Sequence, residues 1–190
     1  ECHAALGHHE KVIIDCKGAI GLGARTANVY FMRGLAQRQL GNVPLAATDL
    51  SKVIELEPSH AAAYYERGRV HQQQGDLKGA ARDFTSALSL APHVAEYHTA
   101  RAAVHLALGQ HAAAAEAYGR SLEMIPDDWQ TLLARGGALL ECGRLDEAEE
   151  DFDAALTLNH ACAPAFRGRG LVRERRGMLD QAIQELSKAI

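Results

Sequence analysis

The most constraining feature of this chain is a glycine that recurs at Gly7, Gly41, Gly75, Gly109, Gly143 and Gly177, six times at a spacing of 34 residues. Arginine keeps the same period at Arg33, Arg67, Arg101, Arg135 and Arg169, and each is followed by a small residue, Gly34, Gly68, Ala102, Gly136 or Gly170. A period of this length implies an array of small units, none of which can bury its apolar face alone, stacked so that neighbours cover one another. Counted from Ala27, position 20 reads Val12, Ala46, Ala80, Ala114, Ala148 and Ala182, and position 24 reads Cys16, Leu50, Phe84, Tyr118, Phe152 and Leu186. Position 28 is always Ile or Leu (Ile20, Ile54, Leu88, Leu122, Leu156, Ile190). Pro58, Pro92 and Pro126 close three units, and His160 takes that place in a fourth.

Each unit divides at its central glycine into two segments with apolar residues three and four apart, and this spacing predicts a helical hairpin. Glycine suits the left-handed position that ends a helix. Asn42 and Asp76 are placed to cap the second helix of their hairpins. All five prolines fit the scheme: three lie between units, while Pro44 and Pro164 fall in the first turn of a helix, where the missing N–H is harmless. Pairs such as Gly68 with Ala80 and Ala87, or Gly136 with Ala148 and Ala155, let two helices approach closely. In residues 1–26 the pattern is weaker, because Gly18, Gly21 and Gly23 interrupt an expected second helix from Lys17 to Gly23.

The aromatic at Tyr30 and Tyr64, the small residue four positions later, Ala46 or Ala80, the large residue at Leu50 or Phe84, and Pro58 or Pro92 together resemble the tetratricopeptide repeat (TPR). The resemblance covers the whole chain: a partial repeat at 1–26, repeats at 27–60, 61–94, 95–128 and 129–162, and an incomplete one at 163–190. It implies one all-α domain over 1–190, a TPR solenoid in which antiparallel helix pairs stack into a right-handed superhelix. The chain departs from the family pattern in having Arg where the motif usually has Leu, and His160 for the closing proline. Glu1 is not Met and Ile190 falls within an amphipathic pattern, so a longer parent protein is expected.

A solenoid of this kind offers an extended concave face instead of one closed pocket, which points to binding. By resemblance, positions 2, 5, 6, 9, 12 and 13 of each repeat line that face. The candidate groove residues are then Phe31, Met32, Leu35, Tyr65, Arg69, Thr99, Ala103, Leu106, Leu133, Leu140, Arg167, Leu171 and Arg175. Small residues make a low floor, the leucines offer apolar contact, and the arginines could grip acidic groups, which suits a helical or extended protein segment. The competing reading has several of these leucines filling the core between repeats. Chaperone-binding members of the family use Lys and Asn at positions 5 and 9. Here those positions hold Phe31 and Leu35, Tyr65 and Arg69, Thr99 and Ala103, Leu133 and Gly137, or Arg167 and Leu171, so no carboxylate clamp is expected.

An acid shares the phase of the arginines at Asp15, Asp49, Asp83, Asp151 and Glu185, with Ala117 the exception. Two opposite charges held in one phase suggest a structural ladder of ion pairs, either within a repeat (Arg67 with Asp83) or between neighbours (Asp49 with Arg67). The functional alternative is a basic stripe for an acidic ligand.

Catalysis and metal binding find no support. Cys2, His3, His8 and His9 form the one dense cluster, and their spacing matches no common zinc pattern. His3, His71 and His105 share position 11 and are expected to replace a packing aromatic. No cofactor, metal or catalytic residue is predicted. A net charge of −4 with scattered basic residues argues against nucleic acid. Apolar runs are too short for a membrane helix. Four cysteines without CxxC spacing suit a reducing, cytoplasmic compartment. The expected function is therefore a non-enzymatic protein–protein interaction scaffold. The alternatives are a structural spacer embedded in a large multiprotein assembly, or the targeting arm of an enzyme; the uncapped ends also offer surfaces for self-association.

Overall fold

The computed structural model describes residues 2–189, with side chains from residue 7 onward. The described chain is entirely helical: α1 (Cys2–Gly21), α2 (Ala27–Gln39), α3 (Val43–Leu56), α4 (Ala61–Gln73), α5 (Leu77–Leu90), α6 (Ala95–Ala107), α7 (His111–Leu122), α8 (Trp129–Glu141), α9 (Leu145–Leu158), α10 (Ala163–Arg175) and α11 (Leu179–Lys188). From α2 onward the helices pair as antiparallel hairpins in the expected 34-residue phase, the fold of a TPR solenoid. Their contacts divide the chain into two compact units, Glu1–Pro92 and His93–Ile190. The division falls at a proline that closes a repeat.

The turns follow from the central glycines. Gly41, Gly75, Gly109, Gly143 and Gly177 have φ between 70° and 78°, a region that side chains with a Cβ disfavour. In the first of these turns Asn42 N–H donates to the Gln37 carbonyl at 2.8 Å and Gly41 N–H to that of Arg38 at 3.1 Å. That pattern satisfies carbonyls left over at the end of α2. The Asp76 carboxylate caps α5 by accepting from Gly79 N–H at 2.9 Å. Asn42 stands at the same position in α3, but its side chain makes no capping bond, contrary to expectation. Pro44 in the first turn of α3 has no N–H to satisfy, which removes part of the demand for a cap. His160, in place of a closing proline, bonds the Leu156 carbonyl through Nδ1 at 2.8 Å and so occupies a free acceptor at the end of α9.

Gly7 behaves differently from the other five. No turn forms there, and α1 runs continuously to Gly21, with the left-handed residue displaced to Gly23 at φ 95°. A glycine inside a helix costs about 1 kcal/mol, so it ends a helix only where packing on a neighbour rewards the turn. Position 28 of the last repeat, Ile190, and the side chains of Cys2 and His3 lie outside the described residues.

Within the first unit, Ala46, Leu50 and Val70 pack with Phe31 and Val43, while Ala27, Val53 and Ala63 pack with Tyr30 and Ile54. In the second, Phe152 belongs to a continuous core that includes Tyr118, Leu132, Leu139, Leu156 and Val172. The small residue after each ladder arginine makes room for the large residue at position 24. A Cβ on Gly68 would stand 2.6 Å from the Phe84 ring, and one on Gly136 would stand 2.9 Å from the Phe152 ring. No helix among the described residues is long and apolar enough to cross a membrane.

Candidate functional site

Four of the five ladder arginines meet a carboxylate within their own repeat. Arg33 donates through Nε and Nη2 to Asp49 at 2.7 and 2.6 Å, Arg67 to Asp83 at 2.8 Å twice, and Arg135 to Asp151 at 2.8 and 2.6 Å. Arg169 bonds Glu185 in its own repeat and also Asp153 of the preceding one, the latter at 2.6 Å. The acids are buried and the arginines less so. Asp15 is exposed and makes no ion pair among the described residues, and Arg101 faces Ala117 where its acid should be. Hydrogen bonds donated to the carboxylates hold the guanidiniums of Arg33, Arg67 and Arg135 above the ordinary arginine value.

Glu185 lends this ladder a pH dependence. Burial opposes its charge, but hydrogen bonds from Lys188 and Arg169 outweigh burial and hold its carboxyl below the ordinary value of 4.5. A pKa depressed by folding contributes stability that is present above the unfolded value and lost as pH falls through the folded one. The stability of the second unit against urea, followed by its single tryptophan Trp129, should fall as pH drops below 4.5. Glu185→Gln should flatten that dependence.

The candidate groove residues fall into three groups. Met32, Leu106, Leu171, Arg167 and Arg175 are exposed, with Met32 at 47% and Leu171 at 37%. Phe31, Leu35, Arg69, Thr99, Ala103 and Leu133 are half-buried. Tyr65 and Leu140 are buried, and Leu140, 4% exposed, belongs to the core of the second unit. Thr99 turns its hydroxyl inward to Ser121 Oγ at 2.8 Å and the Ala95 carbonyl at 3.2 Å. Arg69 stacks over the Tyr65 ring at 5.7 Å.

Each unit has its own apolar depression on this face. In the second, a pocket of about 310 Å³ is lined by Leu133, Gly137, Leu140 and Glu141 of α8 and by Pro164, Arg167, Gly168 and Leu171 of α10, with Phe152 beneath. All but Phe152 occupy the positions named from the repeat. Arg175 reaches across from α10 to the Leu140 carbonyl and to Glu141 Oε1, the latter at 2.9 Å, and so fixes one end of the pocket. Arg167 is exposed and unpaired among the described residues. Gly137 is open, since a Cβ there would meet nothing within 4 Å.

In the first unit, a pocket of about 330 Å³ joins Met32, Leu35, Arg38 and Gln39 to Glu66 and to His8, His9 and Val12 of α1. Arg38 and Glu66 are paired at 2.8 Å. The α1 residues were not foreseen, because the repeat phase assigns them to a second helix and α1 has no turn at Gly7. No group of His, Cys, Asp or Glu among the described residues could hold a metal ion; His8 and His9 pack edge to face, His71 lies 3.4 Å from Asp76 and 3.5 Å from Asp83, and His105 hydrogen-bonds Gln110. Burial pushes the Cys16 thiol up, away from the reactive thiolate.

The family model of the tetratricopeptide repeat matches residues 31–95, 65–128, 99–164 and 133–190. Among solved structures, YrrB, described as a TPR protein with an unusual peptide-binding site, is 26% identical with a TM-score of 0.85, the match covering 92% of this chain and 90% of that one. MamA protein is 20% identical with a TM-score of 0.82, covering 87% and 90%. A MamA segment from Desulfovibrio magneticus RS-1 is 20% identical with a TM-score of 0.81, covering 86% and 92%. No curated protein matches the chain.

Proposed function

Because the chain belongs to the tetratricopeptide repeat family, we propose that it is a non-enzymatic interaction scaffold that holds a protein segment against the first helices of the repeats within a unit. The observation that carries this reading is the pocket of α8 and α10. It is built almost wholly from the positions that line the family's groove, it is apolar at Leu133 and Leu171, and it has a free cation at its edge in Arg167. A segment that presents a large apolar side chain beside an Asp or Glu fits those features. The peptide-binding site described for YrrB supports the same class of partner. The absence of the carboxylate-clamp residues favours an internal segment over a chain terminus.

Gly137→Leu tests this without threatening the fold, since the added side chain enters open space and removal of a helical glycine stabilises by about 1 kcal/mol. Selection from a displayed random-peptide library should enrich apolar–acidic segments on the natural chain. The Gly137→Leu and Leu171→Glu variants should bind those segments at least about tenfold more weakly, the loss of one buried apolar contact. Equal binding by all three proteins would remove the pocket from the account.

A further inference from the structure

A depression between ladder arginine and second helix occurs in three successive repeats, and in only one of the three is the acid at the ladder position missing. In the second repeat, a pocket of about 490 Å³ contains Arg67, His71, Gly79 and Asp83, with the guanidinium satisfied by Asp83. In the fourth, a pocket of about 220 Å³ contains Arg135 satisfied by Asp151. In the third, a pocket of about 500 Å³ contains Arg101, His105, Ala113 and Ala117, where Ala117 replaces the acid. Ala117 is 2% exposed, so the missing side chain leaves space at the bottom of the pocket. The Arg101 Nε is buried and has no hydrogen-bond acceptor.

A guanidinium cannot shed its charge by deprotonation, and a buried N–H without an acceptor costs about 1–3 kcal/mol. We propose that this pocket is a carboxylate-binding site in which an external carboxylate takes the place of the missing aspartate on Arg101. The neighbouring repeats give the geometry: both oxygens accept, one from Nε and one from Nη2, at 2.6 to 2.8 Å. The lining charges set the ligand class. Arg120 is neutralised by Glu123 through two bonds of 3.1 Å, and Glu116 stands exposed at the rim. One unpaired positive charge beside an exposed acid suits a singly charged carboxylate and disfavours a phosphate dianion. Such a group is an Asp or Glu side chain of a bound protein, or a small free carboxylate. The site is made by α6 and α7 and shares no residue with the α8–α10 pocket.

The test follows the Arg101 Nε–Hε resonance by NMR during titration with sodium acetate against sodium chloride at matched ionic strength, and in parallel with acetyl-Leu-Asp-Leu-amide. The natural chain should show a saturable shift with carboxylate and none with chloride. Ala117→Asp should abolish the response by supplying the aspartate internally, and should raise Tm by about 2–4 °C. Arg101→Gln should remove the acetate-dependent shifts of neighbouring backbone amides, which keeps the proposal testable if Ala117→Asp fails to fold. Tighter binding of the peptide than of acetate supports an acidic side chain as the ligand, and the reverse supports a free carboxylate. Absence of any saturable shift with either carboxylate, or an undiminished shift in a folded Ala117→Asp variant, overturns the proposal. Gly137→Leu should leave the response unchanged, so failure here is separable from failure of the groove.

Discussion

Phe152→Ala should lower the stability of the second unit by about 3–5 kcal/mol, the cost of losing a large buried ring and leaving its cavity. The ring is 2% exposed and fills the space left by two glycines, Gly136 in its own repeat and Gly168 in the next. A Cβ on Gly168 would stand 2.4 Å from the ring. Gly168→Ala alone should therefore destabilise through overpacking, while the same substitution added to Phe152→Ala should be tolerated or favourable. That reversal is a coupling energy between touching residues, which a double-mutant cycle in urea measures directly. Additive effects would mean that the ring is free to move away.

The ion-pair ladder gives the second large effect. Arg135→Met should cost about 3 kcal/mol, because Asp151 is left buried with no cation. This is the lower end of the range for a broken buried pair, since the guanidinium side is partly in water. Arg135→Met with Asp151→Leu should recover most of the loss, because two apolar residues need no desolvation of charge. The raised pKa of Arg135 means that its contribution is present at neutral pH and lost only in strong alkali, so the difference should hold across ordinary buffers. An unchanged urea midpoint in the single variant would mean that Asp151 is hydrated and the ladder adds little.

The repeat was legible because one physical demand recurs at a fixed spacing: a left-handed glycine at each turn, a small residue opposite each large one. The same logic misled at Gly7, where the glycine is in phase but no turn forms, because phase alone does not show whether packing rewards a turn. Asn42 is a good capping residue by type, yet Pro44 two residues on changes what needs capping. At the face of the first helices, position numbers placed Leu133, Leu171 and Arg167 around one pocket. They could not tell that Leu140 is sunk in the core, since a helical residue at the edge of a face is divided between neighbours by packing detail. The exception at Ala117 was visible as a break in pattern. Its consequence, a buried Nε without an acceptor, depends on how α6 and α7 pack around Arg101 and is not written in the sequence.

The central claim is that partners bind on the first-helix face, and methyl-resolved NMR of the protein with a library-selected peptide tests it most directly. Shifts and intermolecular contacts are expected at the methyls of Leu133 and Leu171, with those of Leu158 and Ile183, exposed on second helices, unmoved. Contacts confined to Leu158, Ile183 and other outer positions would contradict it and would favour a spacer that meets its neighbours through its outer surface.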